Sequence, residues 1–146
     1  MPRTYRIRLV ANEDGTVSAE NEHGARMVMG SSGPDRFSPV ELMVVALGGC
    51  AGMDFVDLMQ KQRTPLGPVE VEATAERAPG KAQRLAWLRV TYRVGALDER
   101  TSAKVERARR LIPERTCTVS RTLLHGADVD HVVEHPTQGS SAPSTV

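Results

Sequence analysis

Between Val40 and Met53 the chain reads VELMVVALGGCAGM, a stretch whose only charge is Glu41. A helix of that composition is apolar nearly all round, and such a helix needs burial on most of its sides. Its start is clearly marked. Ser38 stands at the cap, Pro39 at the first helical position and Glu41 three residues after the cap, which is a capping box with the preferred N-terminal proline. The helix is expected to run through DFVDLMQKQR to about Arg63, where Thr64-Pro65 and Gly67-Pro68 stop it. Asp54, Asp57, Gln60, Lys61 and Arg63 make its second half amphipathic.

The uncharged run from Leu42 to Met53 spans roughly 18 Å as a helix, short of the ~30 Å hydrocarbon core of a bilayer. It therefore reads as a core helix and not a membrane span. The N-terminal MPRTYRIRLV lacks the charged-then-apolar layout of an export signal, so a reducing cytoplasm is the expected setting. A chain of 146 residues suits one domain. A net charge of +1 leaves no electrostatic footprint for nucleic acid, and no basic amphipathic stretch points to a membrane surface. Aromatics are only 3%, so Val, Leu, Ala and Met must fill the core.

Strands flank the helix. TYRIRLV alternates Tyr5, Ile7 and Leu9 against Arg6 and Arg8, TVSAE follows across an NEDG turn, and ARMVMG offers a third short strand. After the helix, VEVEATAER and LAWLRVTYRV alternate as a second antiparallel pair joined by APGKAQR. Asp98 caps a helix over ERTSAKVERARRLI that Pro113 interrupts, CTVSRTLL forms a short helix ending near Gly126, and ADVDHVVEH reads as a last strand. This order defines an α+β chain with antiparallel sheets packed around a long central hydrophobic helix: a single domain over residues 1–135 and a polar, disordered tail over 136–146. One sheet covers only one face of the central helix. A second copy of the chain would cover the other, so the pattern calls for a homodimer.

Chemistry concentrates at two cysteines. Cys50 lies among Gly48, Gly49 and Gly52, and each helical glycine costs up to ~1 kcal/mol relative to alanine. Close packing or access to a site would each offset that cost, and by itself Cys50 reads as a small buried hydrophobe. Cys117 begins a short helix, where free N–H groups lower a thiol's pKa, and Arg115 and Arg121 are near it in sequence. Neither cysteine belongs to a Cys-x-x-Cys pair, so no metal is implied, and His131 and His135 read as solvated. Ser38 and Ser120 have no nucleophile-elbow context, and no glycine-rich phosphate loop is present.

FSPVELMVVALGGCAGMDFVDLM, followed by RTCTVSRTL, resembles the OsmC/Ohr family, in which a proline-initiated apolar helix carries one cysteine and a Cys-x-x-Ser-x-x-Leu-type segment carries a second. The resemblance runs from about Tyr5 to Glu134. It implies an OsmC-like fold intertwined as a homodimer, with sites at the interface and thiol peroxidase activity toward organic hydroperoxides, without metal or flavin. Cys50 would take the peroxide oxygen and become a sulfenic acid, Cys117 would condense with it to a disulfide, and an external dithiol, lipoyl-type in related members, would reduce that disulfide.

The family places a glutamate immediately after the motif's proline. That position here is Val40, and Glu41 lies roughly 13 Å along the helix from Cys50, where the capping box accounts for it. Arg26 and Arg36 are candidates for the family's activating arginine. Two other readings share these residues: a non-enzymatic homodimer holding a hydrophobic small molecule, and a thiol redox sensor.

Overall fold

A computed structural model describes residues 2–136 of the chain. Strands β1 (Ile7–Ala11), β2 (Val17–Asn21) and β3 (Arg26–Met29) form an antiparallel sheet in the order β1-β2-β3. Helix α1 (Pro39–Lys61) follows, then the antiparallel pair β4 (Glu70–Arg77) and β5 (Leu85–Arg93), and then helices α2 (Glu99–Leu111) and α3 (Thr118–His125). The α+β class expected from the order of elements is therefore the observed one. The expected tail lies outside the described residues except for Pro136.

Helix α1 starts as its sequence dictates. The Ser38 hydroxyl accepts the Glu41 N–H at 3.2 Å, and the Glu41 carboxylate accepts the Ser38 N–H at 2.7 Å. Ala51, Phe55 and Met59 recur on one face of the helix and pack with Ala108, Ile112 and Cys117 to form the core. β4 and β5 cover an adjacent face, with Val71 opposite Tyr92 and Ala73 opposite Val90 in register. The glycines settle one question left open by the sequence. A Cβ on Gly48 would stand 2.9 Å from Ala73 Cβ, and one on Gly52 would stand 3.1 Å from Val71 Cγ2. Both glycines therefore serve the close approach of β4. Gly49 meets nothing within 4 Å.

Two expectations change. α1 has 23 residues and a mean hydropathy of 1.7 over its most apolar 18, so length and composition alone would let it cross a bilayer. The uncharged run underestimates it because Glu41 and Asp54 lie within the helix. What marks α1 as a core helix is the packing of β4, β5, α2 and α3 along it. That packing is one-sided: 28% of the apolar stretch is buried, and Met43, Val45, Met53 and Val56 are exposed. The second change concerns residues 127–135, which take no regular secondary structure where a last strand was expected. A strand exists only through ladder hydrogen bonds, and neither sheet pairs with this segment. Val129, Val132 and Val133 are exposed.

Between α2 and α3 the chain makes a single π-helical turn over Ile112–Thr116. Pro113 has no N–H to continue the α2 ladder. The next closure is wide, with the Cys117 N–H donating to the Ile112 carbonyl at 2.9 Å. This turn points α3 back toward α1 and leaves Cys117 at its N-cap.

Candidate active site

Cys50 sits in the middle of α1 on the side that meets α3, partly buried, and Cys117 is fully buried at the start of α3. The two residues are free thiols. Asp54, one helical turn beyond Cys50, completes a cluster in which the two sulfurs and a carboxylate oxygen all lie within 4.8 Å of one another. The i, i+4 spacing stacks Asp54 over Cys50 on one face of the helix, and the π turn delivers the second sulfur to the same place. The Ser120 N–H donates to Cys117 Sγ at 3.3 Å, a bond available because the sulfur occupies the cap position.

The electrostatics of Cys50 oppose easy ionisation. Burial pushes the Cys50 thiol above its ordinary pKa, the Val119 N–H pulls the other way, and Cys117 and the Asp54 charge push it up further. Tyr92 stacks on Phe55 with ring centroids 4.6 Å apart, and burial, with Cys117 and Asp54 nearby, pushes its phenol up to about 12. Tyr92 is thus a neutral hydroxyl beside the thiols at physiological pH.

Asp54 holds the feature least expected of a carboxylate. Its Oδ2 is buried and has no hydrogen-bond partner among the described residues. Sequence reasoning placed Asp54 in the amphipathic half of the helix and did not associate it with the thiols. The signal available was its position four residues after Cys50. With two sulfurs and one carboxylate, the cluster falls one donor short of the closed four-ligand sets of structural zinc. Three donors equal the number of protein ligands in an open catalytic zinc site, and the two thiols by themselves support thiol redox chemistry.

The remaining candidates lie elsewhere. Arg26 on β3 pairs with Glu20 at 3.4 Å, and Arg36 packs its side chain against Gly30. Neither is part of the cluster formed by Cys50, Asp54 and Cys117. Glu41 is engaged at the helix start, where the Ser32 hydroxyl also donates to it at 2.6 Å. Two hollows flank α1. A groove of about 760 Å³ runs over Val45, Gly49, Met53 and Val71. A second, of about 470 Å³, is walled by Ala51, Tyr92, Arg109, Ile112, Ser120 and Leu124; the thiols do not line it, but Ala51 follows Cys50 in α1 and Ser120 is hydrogen-bonded to Cys117.

A long apolar helix bringing one thiol against a second on a following helix, with antiparallel strands on either side in sequence, defines a class of small two-cysteine α+β proteins. The chain belongs to the family described as OsmC-like protein, which matches residues 31–132. It is 31% identical over 120 residues to Protein YhfA of Escherichia coli strain K12, across 82% of this chain and 89% of YhfA. The fold is similar to that of an OsmC-like protein from Mycoplasma pneumoniae, with a TM-score of 0.73 at 15% identity over 86% of this chain and 91% of the other. It is also similar to an organic hydroperoxide resistance protein from Elizabethkingia anophelis, with a TM-score of 0.61 at 13% identity over 86% and 93% of the two chains.

Proposed function

We propose that this protein is a two-cysteine thiol peroxidase that reduces organic hydroperoxides. The observation that carries the reading is the approach of the Cys50 and Cys117 sulfurs to within 4.8 Å from positions far apart in sequence. Cys50 is the more accessible of the two and meets the peroxide. Its sulfur takes the terminal oxygen, the O–O bond breaks, an alcohol leaves, and a sulfenic acid remains. Cys117 then displaces water from that sulfenic acid and forms a disulfide, which requires the sulfurs to close to about 2.05 Å. An external dithiol, lipoyl-type by family resemblance, regenerates the pair by thiol–disulfide exchange. The cycle runs in a reducing cytoplasm.

The apolar wall of the smaller hollow, with Ala51, Ile112 and Leu124, suits an alkyl or aryl hydroperoxide better than hydrogen peroxide. The uncovered face of α1 supports a homodimer, because Met43, Val45, Met53 and Val56 would be buried by a second copy. The family membership and the hydroperoxide resistance named for the Elizabethkingia protein point the same way. Cys50→Ser tests the reading: peroxide consumption driven by a dithiol should vanish in the variant, and unchanged consumption would refute it.

A second reading has its own observation. The 760 Å³ groove beside Gly49 and Met53 is mostly apolar, as expected of a binder of a hydrophobic small molecule. Native mass spectrometry of the purified protein separates the two: the binder carries a ligand and has inert thiols.

A further inference from the structure

The two-cysteine cycle needs a carrier for its protons. Burial, Cys117 and the Asp54 charge favour the protonated form of the Cys50 thiol, and the departing alkoxide must gain a proton. Within the same cluster Asp54 presents a buried carboxylate oxygen that no donor among the described residues occupies. We propose that Asp54 is the proton carrier of both thiol steps, an inference that rests on the peroxidase reading above.

The atoms balance as follows. As Cys50 sulfur attacks the terminal peroxide oxygen, its S–H proton passes to the Asp54 carboxylate. The S–O bond forms and the O–O bond breaks. Sulfur loses two electrons to the peroxide, and Asp54 returns the proton to the alkoxide, which leaves as the alcohol. In the second step Cys117 sulfur attacks Cys50 sulfur, Asp54 takes the Cys117 proton, and the sulfenic hydroxyl leaves as water with that proton. One carboxylate can serve both steps because its oxygen lies within 4.8 Å of each sulfur, a reach that direct contact in the substrate complex or one bridging water completes. The position also explains why a carboxylate stands where its charge disfavours the thiolate. It is the thiol, with a base in reach, that waits for substrate.

The sign of one substitution decides the matter. Asp54→Asn removes the negative charge, so iodoacetamide alkylation of Cys50 should shift its pH midpoint downward. If Asp54 served only as an unfavourable neighbour, the same variant would react faster with cumene hydroperoxide. A proton carrier predicts the reverse: the first turnover at pH 7 slows by about 10²-fold or more while the alkylation midpoint falls, and Asp54→Glu recovers part of the loss. Wild-type protein supplies a test that needs no variant, since its first turnover should slow in heavy water. An Asp54→Asn rate equal to or above wild type, or no heavy-water effect, overturns the carrier and leaves the peroxidase standing. Wild-type thiols inert to cumene hydroperoxide overturn both.

Discussion

Cys50 in the middle of α1 and Cys117 at the cap of α3 are 67 residues apart in the chain, yet their sulfurs lie within 4.8 Å. Two devices produce this. Gly48 and Gly52 draw α1 against β4, and the π turn at Pro113 swings α3 onto the helix face that carries Cys50. The proposed roles of the two thiols differ, and each can be separated by its own variant.

Cys117→Ser should leave the first reaction intact and stop the cycle. With one equivalent of hydroperoxide, mass spectrometry should find Cys50 as a sulfenic acid, trapped by a dione reagent. With excess peroxide it should find the irreversible sulfinic form. Normal dithiol-driven turnover in this variant would show that Cys117 does not resolve Cys50.

The raised Cys50 thiol gives a pH prediction. Only the thiolate alkylates, and burial, Cys117 and Asp54 all oppose its formation. The iodoacetamide rate for Cys50 should therefore climb with pH through a midpoint above that of an ordinary cysteine, ~8.5. A midpoint below that value would mean that a cation reaches Cys50, from a second chain or otherwise.

Gly48→Ala places a methyl 2.9 Å from Ala73 Cβ, between two backbones that cannot both give way. Overpacking of this kind costs about 1–3 kcal/mol, against a helix-propensity gain of up to ~1 kcal/mol. Urea denaturation should show a net loss; a more stable variant would contradict the close packing of α1 on β4.

Glu41 is engaged by the Ser32 hydroxyl and the Ser38 N–H, which hold its carboxyl below the usual range. A carboxylate depressed in the folded state stabilises fully above its unfolded pKa, ~4.3, and that contribution is lost as pH falls further. Glu41→Gln should lower the unfolding midpoint at pH 7, and the difference from wild type should shrink below pH 4.3 or so. Peroxide turnover should be unchanged. A large loss of turnover with normal stability would give Glu41 a catalytic part across a dimer.

Met53 is 76% exposed on the open face of α1. The proposed homodimer predicts a solution mass of twice 15.9 kDa for the wild type. Met53→Asp should shift it toward the monomer, read by analytical ultracentrifugation. A wild-type monomer at micromolar concentration would contradict the assembly.

Local signals made much of the fold readable from sequence. The capping box at Ser38, the Asp98 cap, Pro113, Gly126 and the alternation in five strands all operate within a few residues, and the observed elements follow them. What depends on distant partners was not readable. Residues 127–135 alternate like a strand but take no regular secondary structure, because strand formation requires an edge that the sequence cannot place. Asp54 looked like one of several carboxylates turning a helix toward solvent, and only the arrival of Cys117 distinguishes it from Asp57, which pairs with Lys61 at 2.6 Å. The thiols themselves stood out because a cysteine among glycines in an apolar helix, followed by a cysteine at a helix cap, resembles a known family. Their separation belongs to tertiary structure alone.

The most direct test of the central claim is thiol counting with peptide mapping after one equivalent of an organic hydroperoxide is added to fully reduced protein. The account predicts rapid loss of both thiols, a Cys50–Cys117 disulfide and consumption of the peroxide. Both thiols surviving beside unconsumed peroxide would contradict it.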